Sequence, residues 1–271
     1  MRVSFLGGGN MAAALIGGMV KRGFSAVAIQ VVELMAETRE RLTEQFGVRC
    51  AAVADDSVLA CDVLVLAVKP QQLRDALVPL TGRLQRQLVV SIAAGVRIAD
   101  IARWLGGYRR IVRAMPNTPA LVGAGISGLC ADASVAPDER EIAESVLAAV
   151  GHTVWIDAEA QMDAVTAVSG SGPAYVFYFI EALQAAGEEL GFAPEAARKL
   201  AIETFSGATK LAAQSAESPA VLRGRVTSKG GTTEAALNSL EADRVAAAIS
   251  RAVAAACARG KVLGDELGAR D

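Results

Sequence analysis

The segment least like its surroundings is Val226–Ala236, which reads VTSKGGTTEAA and lies between two alanine-rich stretches with helical periodicity. Hydroxyl side chains flank two glycines, and such residues are poor helix formers inside a helix. A glycine-containing break that leads into a helix N-terminus presents N–H and O–H donors, which bind carboxylates and phosphates. A Ser/Thr cap on a helix that begins at Thr232 explains the same residues without any ligand. The segment therefore indicates either an anion site or a helix start.

A second candidate site follows the first apolar run, where GGGNMA fits the spacing G-x-G-x-x-A. Glycine is needed there because the turn is tight and the backbone must approach a pyrophosphate closely. The helix that follows offers unpaired N–H groups and the positive end of its dipole to the phosphates. We therefore predict a dinucleotide site, NADPH or NADH, at Gly7, Gly8, Gly9, Asn10, Met11 and Ala12.

Glu33 stands at the end of the second predicted strand. An acidic residue at this place accepts hydrogen bonds from the adenosine ribose hydroxyls, and its charge repels a 2′-phosphate. Arg39, the nearest following arginine, falls within the next predicted helix. We therefore expect NADH to be used at least comparably to NADPH. The alternative is a solvated glutamate at a strand end.

Three further strands end in small or polar residues, in LAVKPQ, SIAAG and RAMPNTP. Open α/β sheets bind ligands at the carboxyl ends of their strands. Simpler interpretations are a strand terminator with a solvated lysine and a rigid proline-containing connector. As further cofactor-binding candidates we take Ala67, Val68, Lys69, Pro70, Ile92, Ala93, Ala94 and Asn117.

The elements that position these residues alternate between strand and helix. Runs such as DVLVLAV and QLVVSI are continuously apolar, which is typical of parallel strands covered on both faces. Such alternation predicts an α/β, Rossmann-type dinucleotide-binding domain. The predicted strands are Arg2–Leu6, Ala26–Val32, Asp62–Val68, Leu88–Ile92, Arg109–Ala114 and Thr153–Ile156, and the predicted helices are Met11–Arg22, Glu37–Phe46, Gln71–Leu80, Ile98–Leu105 and Pro137–Val150.

From about Asp157 onward the pattern is helical, so we predict a nucleotide-binding domain at 1–157 and an all-α helical dimerisation domain at 158–271. Tyr175–Ile180 is apolar on every side and must be covered on every side. A small helical domain offers little cover of its own. The helix therefore predicts a partner subunit, in a homodimer or a higher homo-oligomer.

The composition of the 271 residues narrows the class of protein. A net charge of −2 excludes a basic footprint for nucleic acid. Neither a leader peptide nor a membrane-spanning run is evident, so we expect a cytoplasmic protein with no membrane partner. The scattered cysteines, Cys50, Cys61, Cys130 and Cys257, predict no metal site and no disulfide framework.

The motifs FLGGGNMA, LAVKPQ, SIAAG, RAMPNTP, SGSGPAYVF and VTSKGGTTEAAL, in this order, resemble those of the pyrroline-5-carboxylate reductase family. The resemblance extends from about residue 1 to 265. It implies reduction of the cyclic imine 1-pyrroline-5-carboxylate to proline by NAD(P)H, with active sites where two subunits meet. Many members have proline at the position of Lys229, a difference that affects the stiffness of the loop but leaves its donors in place.

The resemblance also gives the opening segment a role. Ser228 and the backbone at Gly230, Gly231, Thr232 and Thr233 would hold the substrate carboxylate, and the Thr233 hydroxyl would bond the ring nitrogen. Glu159, Ser171 and Gly172, near the domain junction, are further candidates for lining the cleft. A cyclic imine can take its proton from solvent, so we expect no dedicated acid and a structural role for His152.

Two other classes remain open at the level of sequence. One is another two-domain NAD(P)-dependent reductase, such as a hydroxyacid dehydrogenase, which would need a catalytic lysine from Lys199, Lys210 or Lys261. The other is a non-catalytic dinucleotide-binding sensor, which would have no use for TSKGGTT.

Overall fold

A computed structural model describes residues 1–269 of the chain. They form two compact units. The first comprises Met1–Ser171 together with the chain from Ala256 onward, and the second comprises Gly172–Ala255.

The first unit is built on an eight-stranded sheet with the order β3-β2-β1-β4-β5-β6-β7-β8. All neighbouring strands are parallel except β6 and β7, which are antiparallel. The strands are β1 (Val3–Leu6), β2 (Ile29–Val32), β3 (Arg49–Ala51), β4 (Val63–Leu66), β5 (Leu88–Ser91), β6 (Ile111–Met115), β7 (Gly125–Ala131) and β8 (Gly151–Trp155).

β1 pairs with β2 on one side and β4 on the other, with Val3 opposite both Ile29 and Val63. The chain first winds outward from β1 to β3 and then returns to β4, so the direction of winding changes beside β1. In such sheets a crevice opens at this switch point, outside the carboxyl ends of the strands. The ends of β1, β2 and β4 therefore meet where the glycine turn lies.

Helices cover both faces of this sheet and enclose two apolar clusters. Leu15, Ile16 and Met19 of α1 are fully buried on one face, and Leu73 and Leu77 of α4 are fully buried on the other. The helices of this unit are α1 (Asn10–Lys21), α2 (Ala36–Phe46), α3 (Asp56–Leu59), α4 (Pro70–Leu77), α5 (Ile98–Trp104), α6 (Pro137–Ala148) and α7 (Met162–Val165), followed by a π-helix at Thr166–Gly170.

β3, β7 and α3 were not predicted from the sequence. The sequence of β7, GISGLCA, contains two glycines. A Cβ at Gly128 would lie 2.5 Å from Cγ1 of Val165, and one at Gly125 would lie 2.9 Å from Cα of Ala120. The glycines thus allow close packing on a strand and do not break it.

The second unit is all helical, as the pattern after Asp157 predicts. They are α8 (Gly172–Glu189), α9 (Pro194–Gln214), α10 (Pro219–Arg225), α11 (Thr232–Ala242) and the first part of α12 (Val245–Gly268). The compact units divide after Ser171, later than the predicted boundary at 157. The reason is that Met162 of α7 is buried in the apolar cluster of the first unit.

Within the single chain the second unit buries almost none of its apolar side chains. Phe177 and Tyr178 of α8 are 65% and 69% exposed, and the buried side chains among the described residues of this unit are those of Ala197 and Ala201. Exposed apolar surface of this kind marks an interaction site. Val176, Phe177 and Tyr178 of α8 therefore lack cover among the described residues.

No helix within residues 1–269 is both long and apolar enough to cross a bilayer. All four cysteines are free thiols. Burial raises the pKa of Cys61 and of Cys130, which keeps both as neutral thiols.

We expect Gly18→Ala to destabilise the first unit by about 1–3 kcal/mol, because the added methyl would overlap the Ala149 carbonyl oxygen. Gly17→Ala in the same helix is the control, since its methyl meets only the ring edge of Phe46, which can shift. Thermal unfolding of both variants measures the difference. Equal melting temperatures would contradict the packing described.

Candidate active site

The glycine turn joins β1 to α1 at the switch point of the sheet. Gly7 has a φ of +102°, and a Cβ there would lie 2.7 Å from the carbonyl oxygen of Ala67. A Cβ at Gly8 would lie 2.8 Å from Cδ1 of Leu42. Gly7 and Gly8 are thus required by conformation and space, before any ligand is considered.

Gly9 differs from the other two glycines, since its Cβ would meet no described residue beyond its own neighbours in the chain within 4 Å. It is the exposed N-cap of α1, and no side chain caps that helix end. Within α1, the first N–H with a partner in the helix is that of Ala13, which donates to the Gly9 carbonyl. The N–H groups of Asn10, Met11 and Ala12 are left to an external acceptor, as a pyrophosphate requires.

The Glu33 carboxylate is tied to the same turn. One oxygen accepts from the Gly8 N–H at 2.9 Å, and the other accepts from the Met35 N–H at 2.9 Å. Arg39 donates to the Glu33 and Leu34 carbonyls and makes no ion pair with the carboxylate. The Glu33 carboxylate is therefore held beside Gly8.

The segment after β4 continues the crevice. The Ala67 N–H donates to the Leu6 carbonyl at 2.8 Å, so this backbone runs alongside the glycine turn. Lys69 is exposed at the N-cap of α4, and Pro70 takes the first helical position. Lys69 has no ion-pair partner among residues 1–269 and can reach an anionic ligand.

The segment after β5, Ile92–Ala94, extends the same edge of the sheet. The Ile92 N–H donates to the Leu66 carbonyl at 3.1 Å, which aligns this turn with the end of β4. Ala93 is buried, whereas Ile92 and Ala94 are half-buried. Gly95 then reverses the chain with a φ of +79°. Two of the three residues of this turn, Ala93 and Ala94, have small side chains.

Asn117 is placed differently from its predicted role as a free polar group in the crevice. It is 8% exposed. Its Oδ1 accepts from the Ile126 N–H at 2.9 Å, and its Nδ2 donates to the Ser169 carbonyl at 3.1 Å. Because both ends of the amide are bonded within the protein, Asn117 ties the start of β7 to the π-helix.

Glu159 is also bonded within the protein. Its Oε1 accepts from Arg113 at 2.9 Å and from the N–H of Ile98, the first residue of α5, at 2.8 Å. Arg113 is 3% exposed and was not singled out from the sequence. The one available indication was an arginine inside the apolar strand IVRAM. Since removal of one partner leaves a buried charge unpaired, Glu159 and Arg113 hold this part of the fold together.

Ser171 and Gly172 lie where the π-helix gives way to α8. The Ser171 N–H donates to the Thr166 carbonyl at 2.7 Å, the wider spacing of a π-helix. Single π-turns are frequent at functional sites. Both residues are half-buried. This geometry is compatible with their predicted place at a cleft, which stays a prediction.

The TSKGGTT segment belongs to the second unit and forms a tight turn before α11. Gly230 has a φ of +73° and donates its N–H to Glu234 at 2.7 Å, while the Gly231 N–H donates to the Ser228 carbonyl at 3.0 Å. These two N–H groups are therefore already hydrogen-bonded within the protein. The glycines set the conformation of the turn and do not supply donors.

The alternative of a Ser/Thr cap is wrong for this helix. Gly231 is the N-cap, and no side chain of the described chain caps it. The hydroxyls of Ser228, Thr232 and Thr233 have no partner within residues 1–269. Together with the first N–H groups of α11, they form a set of uncommitted donors at a positive helix end.

The structure thus gathers the cofactor candidates after β1, β2, β4 and β5 along one edge of the first unit. The substrate candidates after residue 227 belong to the second unit. A parallel sheet with an open glycine turn at its switch point, followed by a helical unit, defines a two-domain dinucleotide-dependent oxidoreductase.

Comparison with known proteins narrows this class. Residues 159–263 match the family model described as pyrroline-5-carboxylate reductase dimerisation, and residues 2–95 match the model described as NADP oxidoreductase, coenzyme F420-dependent. A pyrroline-5-carboxylate reductase of Pseudomonas aeruginosa is 46% identical over 268 residues, 98% of each chain.

Two solved structures are similar over 97% of this chain and 98% of their own. A pyrroline-5-carboxylate reductase from Coxiella burnetii superimposes with a TM-score of 0.91 at 40% identity. The Plasmodium falciparum pyrroline carboxylate reductase with NADP bound gives a TM-score of 0.84 at 29% identity. The chain belongs to the pyrroline-5-carboxylate reductase family and is an NAD(P)H-dependent oxidoreductase.

The position of Glu33 generates a prediction on cofactor preference. We expect NADH to be used at least comparably to NADPH, because the fixed carboxylate repels a 2′-phosphate. Glu33→Ser should shift the ratio of kcat/KM values towards NADPH by about tenfold, equal to roughly 1.4 kcal/mol. Kinetics with both dinucleotides measure the ratio.

Glu33→Gln is the matched control for the turn. It removes the charge but keeps a carbonyl oxygen that can accept from the Gly8 N–H. If the charge of Glu33 causes the cofactor preference, the ratio of kcat/KM values should move towards NADPH in both Glu33→Ser and Glu33→Gln. A strong NADPH preference in the unmodified protein would contradict the assignment.

Proposed function

We propose that this protein reduces 1-pyrroline-5-carboxylate to L-proline by hydride transfer from NADPH or NADH, the last step of proline biosynthesis. The observation that carries the proposal is the start of α11, where hydroxyl and N–H donors stand uncapped beside a glycine turn. Membership of the family supports it.

The donors at this helix start match a substrate with a carboxylate next to a C=N bond. The N–H groups of Thr232 and Thr233 and the Ser228 hydroxyl would hold the carboxylate. A helix N-terminus favours this charge because its dipole is positive there. The Thr233 hydroxyl would then bond the ring nitrogen and fix which face of the imine is presented.

The dinucleotide would be held by the other unit. The N–H groups at the start of α1 would bind the pyrophosphate, Glu33 the adenosine ribose, and the Ile92–Ala94 turn would support the nicotinamide. When bound, NAD(P)H supplies the hydride. The chain contributes chiefly by orienting the two reactants and excluding water.

Proton delivery needs no dedicated acid in this proposal. The imine nitrogen gains a proton from water before reduction, and the iminium accepts a hydride more readily than the neutral imine. His152, the only histidine, is exposed on β8. Lys199, Lys210 and Lys261, which a hydroxyacid dehydrogenase mechanism would call upon, are exposed on helices α9 and α12.

A spectrophotometric assay of NAD(P)H oxidation with the imine tests the proposal directly. Turnover with pyrroline-5-carboxylate is the expected result. Turnover of 2-ketoacids alone would favour a hydroxyacid dehydrogenase, and dinucleotide binding without turnover would favour a sensor.

The start of α11 generates the sharpest test of the substrate site. Thr233→Ala should lower kcat/KM about ten- to a hundredfold, the equivalent of roughly 1.5–3 kcal/mol for a hydrogen bond to a charged group. Melting temperature should not fall, because this hydroxyl caps nothing and alanine is the better helix former.

Thr43→Ala provides the control, since Thr43 is an exposed helical threonine of α2 in the other unit. Ser228→Ala should act in the same direction as Thr233→Ala. The dissociation constant for the dinucleotide should stay unchanged in all of these variants. Normal turnover in both Thr233→Ala and Ser228→Ala would show that the TSKGGTT segment is not part of the substrate site.

For assembly we propose a cytoplasmic homodimer built by the helical unit, with no nucleic-acid or membrane partner. The exposed apolar face of α8 supports the dimer, because it is too large to leave in water. The charge of −2 supports the absence of a nucleic-acid partner.

Phe177→Glu should convert the dimer to monomer and reduce activity, because it places a charge on the face that needs cover. Val27→Glu is the control, at a similarly exposed apolar residue of the first unit. Sedimentation at micromolar concentration with parallel assays measures both effects. A fully active monomer of the unmodified protein would contradict the proposed assembly.

A further inference from the structure

Three glycines of α12, Gly260, Gly264 and Gly268, follow one another at four-residue spacing. Residues at this spacing lie on one face of a helix. The part of α12 from Ala256 onward belongs to the sheet-containing unit. The glycine face packs there against segments that neighbour the cofactor crevice.

Gly264 packs against the chain reversal after β5. A Cβ at Gly264 would lie 3.0 Å from the Gly95 carbonyl oxygen. A Cβ at Gly95 would in turn lie 3.2 Å from Cδ1 of Leu267. Helix and turn are therefore in direct contact, and a methyl group at either position would fit only if its neighbour shifted.

The end of α12 is fixed in this position by polar and apolar contacts. Asp265 accepts from Arg97 at 2.5 Å, and the Gly268 carbonyl accepts from Arg103 at 2.7 Å. Leu267 is 2% exposed within the apolar cluster under α5. With these contacts in place, strain at Gly264 is relieved more easily by the turn than by the helix.

Gly95 directly follows Ile92–Ala94, the turn assigned to the nicotinamide. We infer that the end of α12 is a positioning element for this turn and that Gly264 sets its distance from the sheet edge. The role of the turn rests on the proposed function. Gly264 acts through the turn and touches neither reactant.

The chain offers a matched pair of substitutions. Gly264→Ala places a methyl against the Gly95 carbonyl, a backbone atom that moves only with the turn. Gly260→Ala adds the same methyl one helical turn earlier, where the nearest atom is Oδ1 of Asp163 at 3.5 Å, an ordinary contact. Both gain the same helix propensity.

We expect Gly264→Ala to raise the dissociation constant for NADH or NADPH about five- to tenfold, with Gly260→Ala unchanged. Titration of the dinucleotide fluorescence measures this with no substrate present. KM for the imine should change little, since the substrate donors lie in the other unit. A merely structural role predicts a lower melting temperature with unchanged dinucleotide binding.

Asp265→Asn decides the case if Gly264→Ala does not fold. It weakens the ion pair with Arg97, adds no bulk, and should weaken dinucleotide binding about two- to threefold. Unchanged binding in every folded variant would overturn the inference. If the unmodified protein binds the dinucleotide but does not reduce the imine, the proposed function is refuted. The comparison of dinucleotide binding among the variants would still test the role of α12.

Discussion

The close approach of backbone to backbone beside β1 is the constraint on which the rest of the first unit depends. Gly7 stands so near the Ala67 carbonyl that no side chain fits, and its φ of +102° is one that other residues rarely adopt. Because the turn is this tight, α1 begins immediately after it. The first N–H groups of that helix have no side-chain cap, and we propose that they bind a pyrophosphate.

Glu33 shows how the same constraint couples structure to specificity. Its carboxylate accepts from the Gly8 N–H and is thus part of the glycine turn after β1. If Glu33 only discriminated between a ribose and a ribose phosphate, its replacement would leave the turn unchanged. Replacement of Glu33 changes both the charge and the hydrogen bond to the Gly8 N–H. These two effects must be separated by a substitution that keeps a hydrogen-bond acceptor.

The sequence predicted the strands that are continuously apolar, because burial on both faces leaves an unmistakable pattern. It did not predict β7, because Gly125 and Gly128 suggest a turn when seen without the neighbours that crowd them. Residue types also indicated Asn117 and Glu159 as polar groups near the crevice. They could not indicate that Ile126, Ser169 and Arg113 occupy those polar atoms, since these bonds join residues far apart in the chain.

The segment before α11 shows where inference from residue type reaches its limit. Ser, Thr and Gly at a helix start fit a cap and an anion site equally well, and only the hydrogen bonds distinguish them. The backbone of Gly231 forms the N-cap and Glu234 holds the Gly230 N–H, so the turn is stable without any hydroxyl. The hydroxyls of Ser228 and Thr233 do not cap α11, which supports their proposed role in binding the substrate. The same unit leaves Phe177 and Tyr178 exposed. We propose that a partner subunit covers this apolar face and that the donors at the start of α11 bind the substrate.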